Sequence, residues 1–514
     1  MKKGMSPSPI SLLRQLKSLD FEKRFIILII LIFLIRGTIY ATVFPLWQAP
    51  DEPHHFFNVA IRGQQYLPNT IGQTSRMDIA KLTNANNTKV IRFSIYYWLS
   101  LVVYLAFVFG NFLTRVYALR FLSIILGGMV VLLTYKTAKE ITPENKFIVL
   151  AAPLFVSFQP MFTYITSTIN SDNLANLTSA VFLWLAAKCI KQNISMPKVA
   201  ALLLALTASI LAKRSTLFLI PIAAVILPIF VIFRAESKNR AELTRRILLA
   251  SAIVVGFFLS FPILQLLAGA LTTYPLHLDK LYSLVKQFFQ NPQYHSILEK
   301  HFTIFFMTFW ANFGWADLPI APFYYDILRN ICWLFVISLI FFFMHEKIVS
   351  KSKYSRAQLL FFVFLILSVG VAISFMFTYN AVVAKGSASP QGRYIFTAIG
   401  ALALLFALGI SQFFKQKYYI YLLSLFTAAL FIFDSICLFQ YIIPRYYRIF
   451  TLTLIRLKFM PGLVTQPPSL LNGTHLLFPA IFIIYLVLLG NLGYLMLKNG
   501  KKIEEKPAAG NEGL

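Results

Sequence analysis

Runs of about 18 or more apolar residues recur along this whole chain, each long enough to cross a bilayer as a helix. Hydrocarbon offers no partner to a backbone N–H or C=O, so a spanning segment is either a helix or part of a closed barrel. The runs are continuous and do not alternate with polar residues, which selects helices. Charged residues make up 13% of the 514 positions and hydrophobic ones 58%. A soluble chain carries about 25% charge, so composition supports the same conclusion. The expectation is an all-α polytopic membrane protein with about 12 to 13 transmembrane helices.

Spans are placed near 25–43, 118–136, 147–164, 174–190, 199–213, 216–233, 247–269, 329–344, 358–379, 393–413, 418–441 and 476–497. Short basic loops then fall on one side: Lys136/Lys139/Lys146, Lys188/Lys191/Lys198, Arg234 to Arg246, Lys347 to Arg356, and Lys415/Lys417. Lys and Arg accumulate in cytoplasmic loops. Both termini are therefore expected inside: a basic stretch 1–24 and a polar tail 498–514. The first run is too long for a signal-peptide core and lacks a small-residue cleavage site, so it reads as an anchor. The net charge of +28 follows from the same rule and from contact with anionic head groups. No basic soluble domain is present to bind nucleic acid. Cys189, Cys332 and Cys437 lie in or beside apolar spans without metal-ligand spacing and read as small buried hydrophobes.

Segment Ile95–Leu113 is also apolar enough to span. If it did, every later basic loop would face outward. It is read as a helix on, or dipping into, the outer leaflet, with a thirteenth span as the alternative. Substantial outer loops then fall at 44–117, 270–328, 380–392 and 442–475. Leu278–Phe289 and aromatic-rich His301–Trp315 read as interfacial helices, and Asn312-Phe313-Gly314-Trp315 as packing or a pocket floor. Residues 25–413 form the expected catalytic region, and 414–497 add C-terminal spans.

Chemistry concentrates in Pro50-Asp51-Glu52-Pro53-His54-His55, just past the first span. Pro53 suits a helix start, which puts Asp51 and Glu52 at or before the cap, where the helix dipole favours ionised carboxylates. An N-cap needs one short polar residue, and this cluster has more than that. A carboxylate facing an aqueous cleft can take a proton from a hydroxyl, and such a base contributes roughly 10²–10⁴ in rate. His54 and His55 diverge by about 100° on a helix, so they do not readily share one metal. One of them is expected to orient Asp51 or touch a phosphate, with an interfacial histidine as the alternative.

Asn170-Ser171-Asp172 brings a second carboxylate to the same face, as a cap for 174–190 or as a partner of Asp51. If a divalent cation such as Mg or Mn is used, Asp51 and Asp172 are its expected ligands. Gln391-Gly392-Arg393-Tyr394 opens a span with an Arg that can hold a phosphate in its fork, and Lys385 lies upstream. Lys213 and Arg214 stand between two apolar segments on the outer side, against the charge rule, and suit a lipid phosphate.

Together these segments resemble the GT-C glycosyltransferases, multispan enzymes with an acidic motif in the first outer loop. Ala49-Pro50-Asp51-Glu52-Pro53-His54-His55-Phe56 is similar to the Pro-Asp-Glu-Pro-x-His motif of a bacterial membrane-protein family placed in that fold. The resemblance extends to Tyr96-Tyr97-Trp98, Arg120-Phe121-Leu122-Ser123, Asn170-Ser171-Asp172 and Gln391-Gly392-Arg393-Tyr394, so it covers about residues 25–400. Ser171 stands where many relatives carry Pro. The resemblance implies outer-face juxtamembrane helices, a polyprenyl-phosphate-linked sugar donor, a glycan, lipid or protein acceptor, and direct displacement with inversion in a bacterial inner membrane. It casts Asp51 as base and Glu52 as its orienter. His54, His55, Asp172, Lys213, Arg214, Lys385, Arg393 and Tyr394 then serve substrate binding. Rival expectations are a transporter or flippase of lipid-linked glycans, a glycan polymerase or ligase, and an assembly subunit.

Overall fold

A computed structural model describes residues 19–66, 94–192, 195–234, 292–348, 354–383, 390–447, 450–452, 457–459 and 477–504, with four positions between 241 and 248. Among these residues, eight helices are long and apolar enough to cross a membrane, or nine if one bent pair counts as a span. The fold is all-α and polytopic; two short β-hairpins are the only strands among the described residues.

The elements that position the site are few. Helix α1 (Phe21–Val43) leads into α2 (Glu52–Tyr66), and after α3 (Ile95–Ala106) the long α4 (Phe112–Ile141) returns. Helices α5 (Lys146–Phe158) and α6 (Pro160–Thr166) form the bent pair, followed by α7 (Asp172–Lys191) and α8 (Met196–Ala212). A chain of turns from Arg214 ends in α9 (Leu227–Arg234). Helix α10 (Pro292–Trp310) precedes hairpin β1 (Asn312–Phe313) and β2 (Leu318–Pro319), then α11 (Pro322–Ile348) and α12 (Arg356–Val383). A 3-10 segment Gly392–Ala398 enters α13 (Ile399–Ser411), followed by α14 (Tyr419–Ile436) and finally α15 (Leu477–Glu504).

The expected span at 147–164 is real but bent by 60° between Phe158 and Pro160. Pro160 has no N–H to continue the ladder and biases Gln159 away from helical geometry. Gln159 is extended, its side-chain carbonyl caps Phe162 N–H, and its amide donates to the Phe309 carbonyl. Carbonyls freed at such a break need donors inside an apolar bundle. Arg36 of α1 supplies them by donating to the Ser157 and Phe158 carbonyls. The same guanidinium pairs with Asp434 of α14 at 2.7 Å through Nε, and Tyr40 Oη donates to Asp434 at 2.7 Å.

Two further expected spans, 199–213 and 216–233, form apolar helices below the length counted as a membrane crossing. Met196–Ala212 has 17 residues, and the segment from Arg214 is broken into 3-10, π and α turns. The expected span 247–269 and the stretch Leu278–Phe289 lie outside the described residues. The segment from Ile95 forms a helix of only 12 residues. At 1.5 Å per residue this is about 18 Å, well short of the ~30 Å hydrocarbon core. By length, this helix alone does not cross. His301–Trp315 is not one interfacial helix: it divides into the second half of α10 and the β-hairpin.

Charge separates along the bundle axis. At one end, Glu22 at the start of α1 takes Lys139 and Lys146 at 2.6 and 2.9 Å. At the other end, α1 delivers the chain to Asp51.

Candidate functional site

The segment between α1 and α2 is built around a buried ion pair. The Ala41 carbonyl would normally accept from residue 45, but that residue is Pro45. Arg120 of α4 donates to it instead, Nη1 reaching the Ala41 and Phe44 carbonyls at 2.6 and 2.9 Å. The rest of the guanidinium forks onto Glu52, Nε to Oε1 at 2.8 Å and Nη2 to Oε2 at 2.7 Å. Glu52 also accepts from Trp47 N at 3.3 Å and Ile169 N at 3.2 Å. Both side chains are fully buried. Glu52 therefore ties the loop before Asp51 to the loop before Asp172. All of the Glu52 contacts among the described residues are with protein donors.

Asp51, one residue before α2, adopts φ 63°. Left-handed backbone costs a non-glycine residue roughly 1–2 kcal/mol. The conformation turns the carboxylate toward Arg393, whose Nη2 donates to Oδ2 at 2.6 Å and whose Nη1 reaches the Pro50 carbonyl at 3.4 Å. The Asp51 side chain stays 35% exposed while Arg393 is 4% exposed. Burial tends to raise the Asp51 pKa, but the Arg393 guanidinium, with Lys213 beyond it, holds the group well below the usual carboxylate range.

Arg393 reaches this point because Gly392 lets two backbones touch. A Cβ there would lie 2.3 Å from the Phe309 nitrogen of α10, and Gly392 N–H donates to Thr308 Oγ1 at 2.7 Å. Beside this pair lies a second one: Lys213, at the end of α8, holds Asp172 Oδ1 at 2.5 Å. Asp172 Oδ2 is buried and has no hydrogen-bond partner among the described residues. Its carboxylate is not a helix cap, since it goes to Lys213. Tyr394 lies between the cations, with Arg393 Cζ and Lys213 Nζ each 5.2 Å from its ring centroid.

His55 is buried, and its Nδ1 is 2.9 Å from Tyr97 Oη. Burial pushes its pKa down to about 3, against the pull of Asp51, so the imidazole is neutral at physiological pH. His54 is half-buried on the neighbouring helix position, and its Nδ1 lacks a partner among the described residues. Arg214 makes no ion pair among the described residues. Lys385 lies outside the described residues. The structure thus brings Asp51, Arg393, Tyr394, Asp172, Lys213 and His55 together from four separate chain segments.

Asp51 and Asp172 are each neutralised by a protein cation, and no group of three His, Cys, Asp or Glu among the described residues is placed to hold a metal.

The sequence reading missed Arg120 as a site-building residue, although it stands in one of the motifs. The readable signal was an Arg inside an apolar run, which is costly unless paired. Arg36 and Asp434 carried the same signal.

The family described as "Predicted membrane protein (DUF2142)" matches residues 72–401. The chain belongs to this family. The matched range contains Arg120, Asp172, Lys213 and Arg393 and begins after Asp51. No curated protein matches the chain. Among solved structures, it is similar to the archaeal oligosaccharyltransferase AglB from Archaeoglobus fulgidus in complex with an inhibitory peptide and a dolichol-phosphate, at 10% identity and TM-score 0.45, covering 80% of this chain and 55% of that one. The apo form of the Archaeoglobus fulgidus oligosaccharyltransferase gives 11% identity and TM-score 0.45, covering 82% and 55%. Its complex with Zn and sulfate gives 11% and 0.41, covering 79% and 52%. The chain spans about half the length of these structures.

Proposed function

We propose that this protein is a membrane glycosyltransferase of GT-C type that moves a sugar from a polyprenyl-phosphate-linked donor to an acceptor hydroxyl, with inversion, on the outer face of a bacterial inner membrane. The observation that carries the reading is the convergence of a strained, partly exposed carboxylate at Asp51 with Arg393 and Lys213 at one end of the bundle.

The chemistry balances with these groups alone. The acceptor oxygen attacks the anomeric carbon as its proton passes to Asp51. The bond from that carbon to the phosphate oxygen breaks, and the phosphate leaves with the electron pair. Arg393 and Lys213 meet the charge that develops on it. Preorganised donors of this type are worth about 10²–10³ in rate. Arg393 Nε and Asn170 Nδ2, both buried and without a partner among the described residues, are further donors toward the phosphate.

The resting pairs also give an order to the reaction. While Arg393 holds Asp51, the carboxylate is a poor base. An arriving phosphate competes for Arg393, which frees Asp51 and raises its proton affinity. Donor binding thus switches the base on. Glu52 and Arg120 are positioning residues that hold the loop, and neutral His55 borders Asp51 without adding charge.

A transporter reading draws on ionisable groups within the spans. Arg36 and Asp434 are such groups, but they satisfy one another and the carbonyls of the α5–α6 break. The test is Asp51→Asn in proteoliposomes carrying a polyprenyl-phosphate sugar. Transfer is expected to fall by roughly 10²–10⁴ with insertion unchanged. Unchanged transfer would remove the assignment.

A further inference from the structure

Among the described residues, left-handed backbone is confined to two neighbouring segments. Among the described residues, positive φ occurs at Trp47, Asp51, Gly314 and Ala316 only. Two of these lie in the Asp51 loop and two in the tip of the β1–β2 hairpin, and the two segments are bonded together. Tyr164 Oη donates to the Gln48 carbonyl at 2.9 Å and faces the Gly314 carbonyl at 3.1 Å. The Trp315 indole N–H donates to the Trp47 carbonyl at 3.0 Å. Strained backbone of this type persists where surrounding contacts over-determine it, and it clusters at active sites and ligand clamps.

The strain serves to display one side chain. Ala316 at φ 66° is unfavourable for a non-glycine residue, and Asp317 Oδ1 accepts from Trp315 N–H at 2.9 Å to fix the turn. Gly314 has φ 63°, and a Cβ there would displace the Asp317 carboxylate oxygen that fixes the turn. The result is an indole that is 48% exposed yet held by its own N–H. A Trp serving as a bilayer anchor keeps its N–H for the head-group region. Here that donor is committed to the backbone four residues before Asp51. The other oxygen of the same Asp317 carboxylate, Oδ2, lies 3.4 Å from Arg445 Nη2, and both side chains are partly exposed.

We propose that Trp315 is the acceptor platform, and that the acceptor is a saccharide. The proposal rests on the glycosyl-transfer reading of Asp51. A pyranose has a flat face of C–H groups and a rim of hydroxyls. The C–H face stacks on the indole, the rim meets Asp317 and Arg445, and one hydroxyl is presented to Asp51. A lipid acceptor would need an extended apolar groove at this place, not one flat ring with charges at its border.

The test uses the full chain in lipid nanodiscs. The difference in tryptophan fluorescence between wild type and Trp315→Phe isolates the Trp315 signal. Methyl glycosides and short gluco-, galacto- and manno-oligosaccharides are the probes. A saturable change with at least one of them is expected, lost in Trp315→Ala, with the acceptor KM raised about tenfold and the donor KM unmoved. A purely structural role would shift both together. Quenching of the Trp315 signal by brominated lipid, with no response to any saccharide, overturns the proposal in favour of a bilayer anchor. That readout needs no variant that might misfold beyond Trp315→Phe. Asp51→Asn separates the two claims: an intact saccharide signal with unchanged transfer leaves the platform standing and ends the catalytic role of Asp51.

Discussion

Removing the buried pair between Arg120 and Glu52 in steps tests the architecture under the site. Arg120→Met strands an ionised Glu52 whose two oxygens otherwise receive the guanidinium at 2.7 and 2.8 Å. Breaking one side of a fully buried pair costs about 3–5 kcal/mol. The Ala41 and Phe44 carbonyls lose their donor as well, at about 1–3 kcal/mol for an unmet buried group. Glu52→Met strands Arg120 in the same way, although the carbonyls keep part of the guanidinium. In the double variant no stranded charge remains, so its loss is expected to fall short of the sum of the singles by about 2–3 kcal/mol. Activity behaves differently. Arg120→Met frees the Ala41 and Phe44 carbonyls, Glu52→Met frees the Trp47 and Ile169 N–H groups, and the double frees both sets, so the common anchor of Asp51 and Asp172 is weakened from either side and transfer falls in all three. The assay is reversible denaturation in mixed micelles together with single-turnover transfer. Additive destabilisation would refute the coupling, and a double variant with wild-type transfer would refute the positioning role.

Other outcomes follow from the same geometry. His55 has its folded pKa pushed down to about 3 from the ordinary 6.5, so it disfavours the proton in the folded state. Its contribution to stability is complete above about 6.5 and is lost as pH falls toward 3, because the unfolded chain binds the proton first in that window. His55→Gln is expected to flatten the acid limb of a thermal-unfolding profile, and an unaltered limb would contradict the burial. Arg393→Gln removes the main group that depresses Asp51, so an acid limb in transfer rate should move up toward the ordinary carboxylate pKa of about 4; an unmoved limb with residual activity would contradict the pairing. Gly392→Ala drives a methyl onto the Phe309 backbone, where nothing can rotate away, and is expected to cost about 1–3 kcal/mol and displace Arg393. Normal stability with normal donor affinity in that variant would show that the close approach is not required.

Much of this was readable in the sequence because hydrocarbon allows few solutions. Continuous apolar runs and basic loops marked α1, α4, α7 and the later long helices, and the charge rule kept Ile95–Leu113 out of the count. The bend at Pro160 was less legible, because hydropathy averages over a break that one proline imposes. The acids of the first loop, Asp172, Lys213, Arg393 and Tyr394 stood out as polar residues with no packing reason to be there. What the sequence did not disclose was pairing. Glu52 and Asp51 are neighbours of the same chemistry, yet one is sealed against Arg120 and the other faces Arg393, a difference set by the backbone turn at φ 63°. The hairpin at Asn312–Pro319 was hidden for a similar reason: two-residue strands leave no periodic pattern.

The most direct measurement is a structure of the full chain in nanodiscs with a polyprenyl phosphate bound. The account predicts phosphate density within hydrogen-bond reach of Arg393 and Lys213, with the Asp51–Arg393 contact opened from its resting 2.6 Å and the carboxylate turned to the cleft. Phosphate bound at the opposite, lysine-rich end of the bundle, with both ion pairs intact, would contradict it.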